Sequence, residues 1–585
     1  MSVILFSEVK YSLSKLIHDI EMGEIGLPEI QRPFVWPNPK VRDLFDSMYK
    51  GFPVGYLLFW VNGAGNGHRQ IGVDAKQKAP HLLIVDGQQR LTSLYAVIKG
   101  VQVVREDYRQ EHIPIAFNPL LEKFVVADAA SRKDPEYIQD IGRIWAHESG
   151  IFGIAEEYLN RLKAARDVSA DEVKAIQKAI NNLDNIQSYP FTALEISSAA
   201  DEEQVAEIFV RVNSKGTSLN QANFILTLMS VFWDEGRKEL EQFCRATRVP
   251  VISGSSPFNY FIQPDPDQLL RVSVGVGFRR ARLNYAYLIL RGKDLETGQF
   301  SDERREQQFA VLEAAQDKVV DVQNWHEFLK AIRCAGYNSG QMISSDNALL
   351  YAYTFYLIGK YDYHVAHHAL RHVIARWFFT ISLTSRYSGS FESVMEQDLG
   401  RLRDVTDAAG FVAYLEHIIT DTFTEDYWNI TLANALNTSS SRTPSLFAYY
   451  ASLILLKAPV LFSSLSVADL LDPSTKAKKS AIERHHLFPK GYLRKQGITE
   501  VRDQNQVANF ALVEWSDNID ISDKAPAEYF AQFEPRYSSQ EWETLCFLHA
   551  LPEDWQNMPY PNFLEARRKA MAQVIRRGFE TLENG

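Results

Sequence analysis

The sequence predicts a helix-rich α+β protein: a strand-bearing α/β N-terminal domain, a helical middle, and a mixed C-terminal domain. Three observations carry this expectation. Over about the first 120 residues, short apolar runs ("VGYLLFWV", "HLLIVD", "IPIAF") alternate with helical stretches under heavy Gly and Pro punctuation. From about 130 to 460, apolar residues recur at three- and four-residue spacing, as in "DEEQVAEIFVRVN" and "NALLYAYTFYLIGKY". After 475 a basic stretch leads into "ERHHLFPKGYL", where turn residues separate short runs before helical patterning resumes. The expected divisions are 1–235, 236–400 and 401–585, since 585 residues exceed one ordinary core.

Composition narrows the function classes. Sixty-two Lys and Arg against 73 Asp and Glu give a net charge of −11, which argues against a nucleic-acid coat protein but allows a local cationic groove. Cys244, Cys334 and Cys546 lie far apart without a CxxC, which excludes a disulfide framework and a zinc ribbon and fits a reducing cytoplasm. "MSVILFSEVK" lacks the basic head of a signal peptide. The apolar stretch "LFAYYASLILLKAPVLF" is broken by Lys457 and Pro459 and reads as a buried helix.

"HLLIVD" has the continuous apolar character of a buried strand. "QRLTSLYAVIKG" puts Leu91, Leu94, Tyr95 and Ile98 on one helical face, with Gly100 where a C-cap belongs. Asp86, Gly87, Gln88, Gln89 and Arg90 therefore fall at a strand-to-helix junction. Backbone N–H groups there attract anions, and Arg90 adds a planar cationic fork; an Asp-Gly turn carrying solvated polar residues is the plainer alternative. "LPEIQRPFVW" sets Gln31 and Arg32 between prolines beside Phe34 and Trp36. In "IFVRVNSKGTSLNQANFIL" a helix with Val205, Ile208, Phe209 and Val212 on one face breaks at Asn213, Ser214, Lys215 and Gly216. No GxxxxGK[ST] occurs, which excludes a P-loop. "NGAGNGHRQIG" reads as a hairpin or loop tip.

Near the C-terminus, "ERHHLFPKGYL" is followed by "NQVANFALVEWSDNIDISDKAP". Adjacent histidines on a strand point to opposite sides, so a bend is needed for one to face a metal and the other a substrate. An asparagine further on completes an oxygen-rich site suited to Mg²⁺ or Mn²⁺. Seven Lys and Arg against Glu483 lie between 476 and 495, a basic island in an acidic chain. The plain reading is a structural His pair under a Pro turn. "GFRRARLNYAYLILRGK" and "EARRKAMAQVIRR" are further basic patches, each read as a solvated helix face. "YHVAHHALRHV" spaces His364, His368 and His372 on one helical face, a packing or solvated stripe rather than a zinc site.

Taken together, "Q-R-x-x-x-W", "D-G-Q-Q-R-L-T-S-L" and "R-x-N-S-x-G-T-x-L", in that order, resemble the N-terminal domain of the GmrSD family of modification-dependent (type IV) restriction proteins. The resemblance implies a ParB-like nucleotide-binding fold. Gln31, Arg32, Asp86, Gly87, Gln88, Gln89 and Arg90 would form the pocket for a nucleoside triphosphate (GTP, UTP or ATP), with Asn213, Ser214, Lys215 and Gly216 beside it. "ERHHLFP" and the asparagines after it look like an HNH (ββα-metal) nuclease, as in the C-terminal part of the same family. That likeness implies His486 as general base, His485 and Asn518 as metal ligands, and Asn509 as the brace of the catalytic loop. Lys524 follows Asn518, and Asn505 competes for either asparagine role. Asn518 stands where many HNH nucleases carry His. The implied protein is a cytoplasmic, homodimeric, nucleotide-regulated endonuclease cutting modified phage double-stranded DNA. Alternatives are a phosphorothioate-sensing nickase or other defence nuclease, and a nucleotide-switched DNA-binding regulator with a non-catalytic HNH remnant.

Overall fold

The computed structural model describes residues 4–26, 34–61, 81–105, 109–146, 150–200, 204–205, 208, 229, 233–251, 253–282, 284–290, 302–475, 483–514 and 521–583. It divides into two compact units, Met1–Asp234 and Glu235–Gly585.

The first unit is built on β1 (Phe6–Ser12), α1 (Leu13–Glu21), β2 (Ile25–Gly26), α2 (Asn38–Tyr49), β3 (Leu57–Val61), β4 (Leu82–Asp86) and α3 (Gln88–Lys99), closed by β5 (Pro190–Ile196). Among the described residues these strands make a five-stranded mixed sheet in the order β1-β5-β3-β4-β2. β3 runs antiparallel to β4 and parallel to β5. Strand alternation decides what each face buries. Leu57, Phe59, Leu82, Ile84, Phe191 and Ala193 face a core shared with α1, α2 and α3, whereas Leu58 and Ile196 face a second cluster with Trp60 and Val85 packed on it. With apolar residues on both faces, the sheet reads as continuous runs, which is why "HLLIVD" lacks alternation. Leu91, Leu94 and Ile98 are buried as their spacing predicts, and Gly100 ends α3 in the left-handed conformation.

The second unit is mainly helical. Its described helices include α4 (Pro266–Phe278), α5 (Asp302–Val319), α6 (Asp346–Tyr361), α7 (His367–Leu383), α8 (Phe391–Arg401) and α9 (Pro444–Leu455). α6, α7 and α9 are buried almost all round, as helices without a polar face must be. The stretch read as a buried apolar helix is α9. An ion pair with a fully buried carboxylate ties the turn after α7 to α8: Arg386 grips Asp398 at 2.9 and 2.7 Å, and the Tyr387 hydroxyl donates to the same carboxylate at 2.7 Å. No described helix is long and apolar enough to cross a membrane.

Toward the end of this unit come β6 (Glu483–His486), α10 (Lys490–Lys495), β7 (Phe510–Val513), α11 (Pro526–Phe533) and α12 (Tyr560–Thr581). α12 packs so tightly on α9 that a Cβ on Gly578 would lie 2.4 Å from the Ser452 Cβ.

Two sequence readings are corrected. "EARRKAMAQVIRR" is not a wholly solvated face: Arg567 is fully buried, because its guanidinium satisfies main-chain carbonyls inside the unit. His364 does not share a helical face with His368 and His372. It precedes α7 at φ 50°, so the spacing of four does not carry helical geometry there.

Candidate functional site

Two places bear on the predicted chemistry, one in each unit. In the first, Asp86 ends β4, Gly87 turns the chain, and Gln88 to Arg90 open α3. Gly87 has φ 99°, and a Cβ there would lie 2.4 Å from Leu57 Cδ2, so backbone conformation and space both demand glycine. Arg90 folds back over this turn. Its guanidinium donates to the Asp86 carboxylate at 3.2 Å and to the Val54 carbonyl at 2.9 Å. Gly55, also at positive φ, lies under it, since a Cβ there would meet Arg90 Nη1 at 2.6 Å. With its side chain 14% exposed, Arg90 is a partly desolvated strut of the junction. Burial lowers its pKa, with Asp86 opposing that shift. Gln89 Oε1 accepts from the Val35 N–H at 3.2 Å, linking α3 to the segment before Trp36. The junction thus brings Asp86, Gly87, Gln89 and Arg90 together. Gln31, Arg32, Asn213, Ser214, Lys215 and Gly216 lie outside the described residues.

In the second unit, β6 and β7 form an antiparallel pair with His485 opposite Ala511 and His486 opposite Phe510. The two imidazoles diverge, as strand geometry requires. His485 is 5% exposed and meets the Tyr529 ring edge-on at 6.1 Å. His486 is half-buried, its ring 4.7 Å from that of Phe510, and its Nε2 lies 2.9 Å from the Asn505 side-chain oxygen. Since that oxygen can only accept, Nε2 carries the proton and Nδ1 keeps the lone pair. Burial is the main cause lowering the His486 pKa; the Asn505 bond opposes it and nearby Lys490 adds to it. His486 is therefore neutral at pH 7, the form a general base needs.

Asn509 is fully buried and ties the hairpin to the turn after it. Its side-chain oxygen accepts from the Phe488 N–H at 2.8 Å, and its amide donates to the carbonyls of Phe488 at 3.1 Å and Gln504 at 3.0 Å. The two asparagines thus divide the work: Asn505 holds the imidazole and Asn509 holds the loop. On α10, Arg494 and Lys495 are exposed and form no ion pair among the described residues.

Three supporting side chains carried no local signal in the sequence. The Tyr529 hydroxyl donates to the Leu487 carbonyl at 2.6 Å. From α12, Tyr560 donates to the Asp503 carbonyl at 2.8 Å and Arg567 to the Ala508 carbonyl at 2.7 Å. Tyr529 thus fixes the chain after His486, and Tyr560 and Arg567 fix the segment bearing Asn505 and Asn509, all from elements distant in sequence, which no short motif encodes.

Among the described residues no three His, Cys, Asp or Glu side chains converge into a metal cage. Asn518 lies outside them. An imidazole with an amide oxygen is nonetheless a donor set compatible with a hard cation that keeps several waters.

Comparison with known proteins bears on the first unit most directly. Residues 13–230 match the GmrSD restriction endonuclease N-terminal domain, a span that includes the Asp86–Arg90 junction. An uncharacterized protein of Methanocaldococcus jannaschii is 23% identical over 554 residues, covering 88% of this chain and 86% of its own. At 88% of this chain, the alignment reaches into both units.

Proposed function

We propose that the protein is a nucleotide-regulated, modification-dependent DNA endonuclease whose cutting site is the β6–β7 hairpin. The observation carrying this reading is His486, neutral at pH 7, with its proton held on Nε2 by Asn505 and Nδ1 left basic. The GmrSD match over residues 13–230 supports the restriction class.

In this reading His486 Nδ1 takes a proton from water, and the resulting hydroxide attacks the scissile phosphorus. The P–O bond on the opposite side then breaks, releasing the leaving oxygen. Asn509 keeps the loop after His486 in place through the attack. Mg²⁺ or Mn²⁺, held by His485 and Asn518, would supply charge stabilisation to the phosphorane and the leaving oxygen. Arg494 and Lys495 would position backbone phosphates.

The Asp86–Arg90 junction, with Gln31, Arg32 and Asn213–Gly216, would hold the triphosphate in a ParB-like unit. Arg90, already engaged by Asp86 and Val54, would shape that pocket more than it would neutralise charge. A homodimer would set two single-strand cutters on a duplex. Nucleotide gating would keep the cutter inactive on host DNA by favouring its competent state only when foreign DNA is bound.

The test is cleavage of one phage DNA in unmodified and glucosyl-hydroxymethylcytosine forms, with Mg²⁺ or Mn²⁺, with and without triphosphate, with His486→Ala as control. Cutting of the modified form alone, altered by triphosphate and abolished by the substitution, is expected. Metal-dependent cutting of both forms would remove the modification specificity, and activity surviving His486→Ala would remove the hairpin from the chemistry.

A further inference from the structure

Residues 34–38, "FVWPN", meet the first turn of α3 where the Val35 N–H donates to Gln89 Oε1 at 3.2 Å. From Phe34 to Pro37 the chain is neither helix nor strand, and Pro37 has no N–H to give. The main-chain groups of this stretch must therefore find partners elsewhere. The Val104 carbonyl takes the Phe34 N–H at 2.5 Å, and the Phe34 ring is buried in the core of the first unit. The Phe34 and Trp36 carbonyls are both answered by one side chain, that of Arg105.

Arg105 follows the short strand Val103–Val104, which pairs antiparallel with Gln110–Glu111. Its Nε donates to the Glu111 carboxylate at 2.5 Å, which sets the plane of the guanidinium. Nη1 donates to the Trp36 carbonyl at 2.6 Å and to the Phe34 carbonyl at 3.5 Å. Nη2 donates to the side-chain oxygen of Asn38, where α2 begins. The guanidinium also lies over the Phe34 ring at 5.0 Å. One planar fork thus gathers residues 34, 36 and 38, a task that needs several donors held in fixed directions.

The consequence reaches Gln89. A side-chain amide has an acceptor end and a donor end. The Val35 N–H occupies Oε1, so Nε2 is the outward donor, and it has no partner among the described residues. Arg90, next in sequence, is engaged by Asp86 and Val54. Gln89 is therefore a donor whose orientation depends on where Val35 stands, and Arg105 fixes the residues on both sides of Val35.

We infer that Arg105 is a positioning residue of the β4–α3 junction. By holding residues 34–38 it keeps Gln89 turned so that the amide nitrogen donates to an acceptor oxygen of a bound triphosphate. Arg105 acts only through that segment and touches no ligand itself. The inference rests on the nucleotide reading of the junction given above.

The experiment titrates the full chain with GTP, UTP and ATP in turn, with Mg²⁺, by isothermal calorimetry below the melting temperature of every variant. Gln89→Glu keeps an acceptor for Val35 but loses the donor, and its affinity is expected to fall about tenfold or more. Arg105→Gln is expected to lose about tenfold. Arg105→Lys keeps the charge beside Glu111 but not the fork, and its affinity should fall between that of Arg105→Gln and the wild type. Arg143→Gln, which removes an arginine paired with Glu157 in the same unit, should match the wild type.

The double variant decides the route. If Arg105 acts through Gln89, adding Arg105→Gln to Gln89→Glu costs less than about threefold more, whereas a merely structural role makes the two losses multiply. Arg105→Lys takes its place in the same cycle if Arg105→Gln does not fold. Wild-type affinity in the Arg105 variants, or losses that multiply, overturns the proposal and leaves the nucleotide reading standing. A wild type that binds none of the three triphosphates overturns both.

Discussion

The imidazole of His486 is held 2.9 Å from the side-chain oxygen of Asn505, nineteen residues further along the chain. That bond sets the tautomer and also raises the pKa of a group that burial lowers. Removing it with Asn505→Ala therefore has two expected effects. The acid limb of the pH–rate profile moves to lower pH, since the opposing contribution is gone. The plateau falls by about ten- to a hundredfold, part of the 10²–10⁴ that a positioned general base supplies. DNA cleavage across pH 5 to 9 checks both, and an unchanged acid limb would contradict the contact.

His549 predicts a pH-dependent stability for the second unit. It is fully buried, its Nε2–H donates to the Pro459 carbonyl at 2.9 Å, and burial pushes its pKa down to about 4 from 6.5. The unfolded chain therefore binds a proton that the folded chain refuses between those values. Stability from this group is complete above about pH 6.5 and is lost as the pH falls toward 4, at a cost on the order of 3 kcal/mol. Urea unfolding at pH 7.5, 6 and 5 should show the decline, and His549→Gln should flatten it.

At the β4–α3 turn, Gly87→Ala puts a methyl group against Leu57 in a left-handed conformation. The expected loss is about 1–3 kcal/mol from backbone strain, with the steric contact added. Arg90→Lys is also not conservative, since one ammonium cannot reproduce a fork that spans Asp86 and Val54. Chemical denaturation of each variant measures the effect, and wild-type stability in Gly87→Ala would refute the geometry.

Asp398 has no exposed surface and answers Arg386 and Tyr387 together. Asp398→Ala leaves a guanidinium and a hydroxyl without their acceptor, and the expected cost is about 3–5 kcal/mol. The melting temperature reports it. A drop much smaller than that of a core cavity mutant would mean that water replaces the carboxylate.

These cases show where the sequence was informative. β3, β4, α3 and the buried α9 were legible because periodicity, a continuous apolar run and a terminal glycine act within a dozen residues. The His486 strand was legible from the local "ERHHLFP" motif. The inward turn of Arg90 was not, because its partner Val54 lies on a neighbouring segment. Arg567 was misread, since a burial set by Ala508 and His549 carbonyls leaves no trace in the local charge pattern. Distance along the chain, more than chemistry, separated what could be read from what could not.

The contacts of α12 have a consequence for synthesis. Tyr560 and Arg567 secure the segment carrying Asn505 and Asn509, yet they follow it in sequence. A ribosome therefore delivers the hairpin histidines and both asparagines before the helix that locks them in register. On a nascent chain the proposed cutter is present in pieces before it is assembled, and it is completed only once α12 has been made and packed onto it.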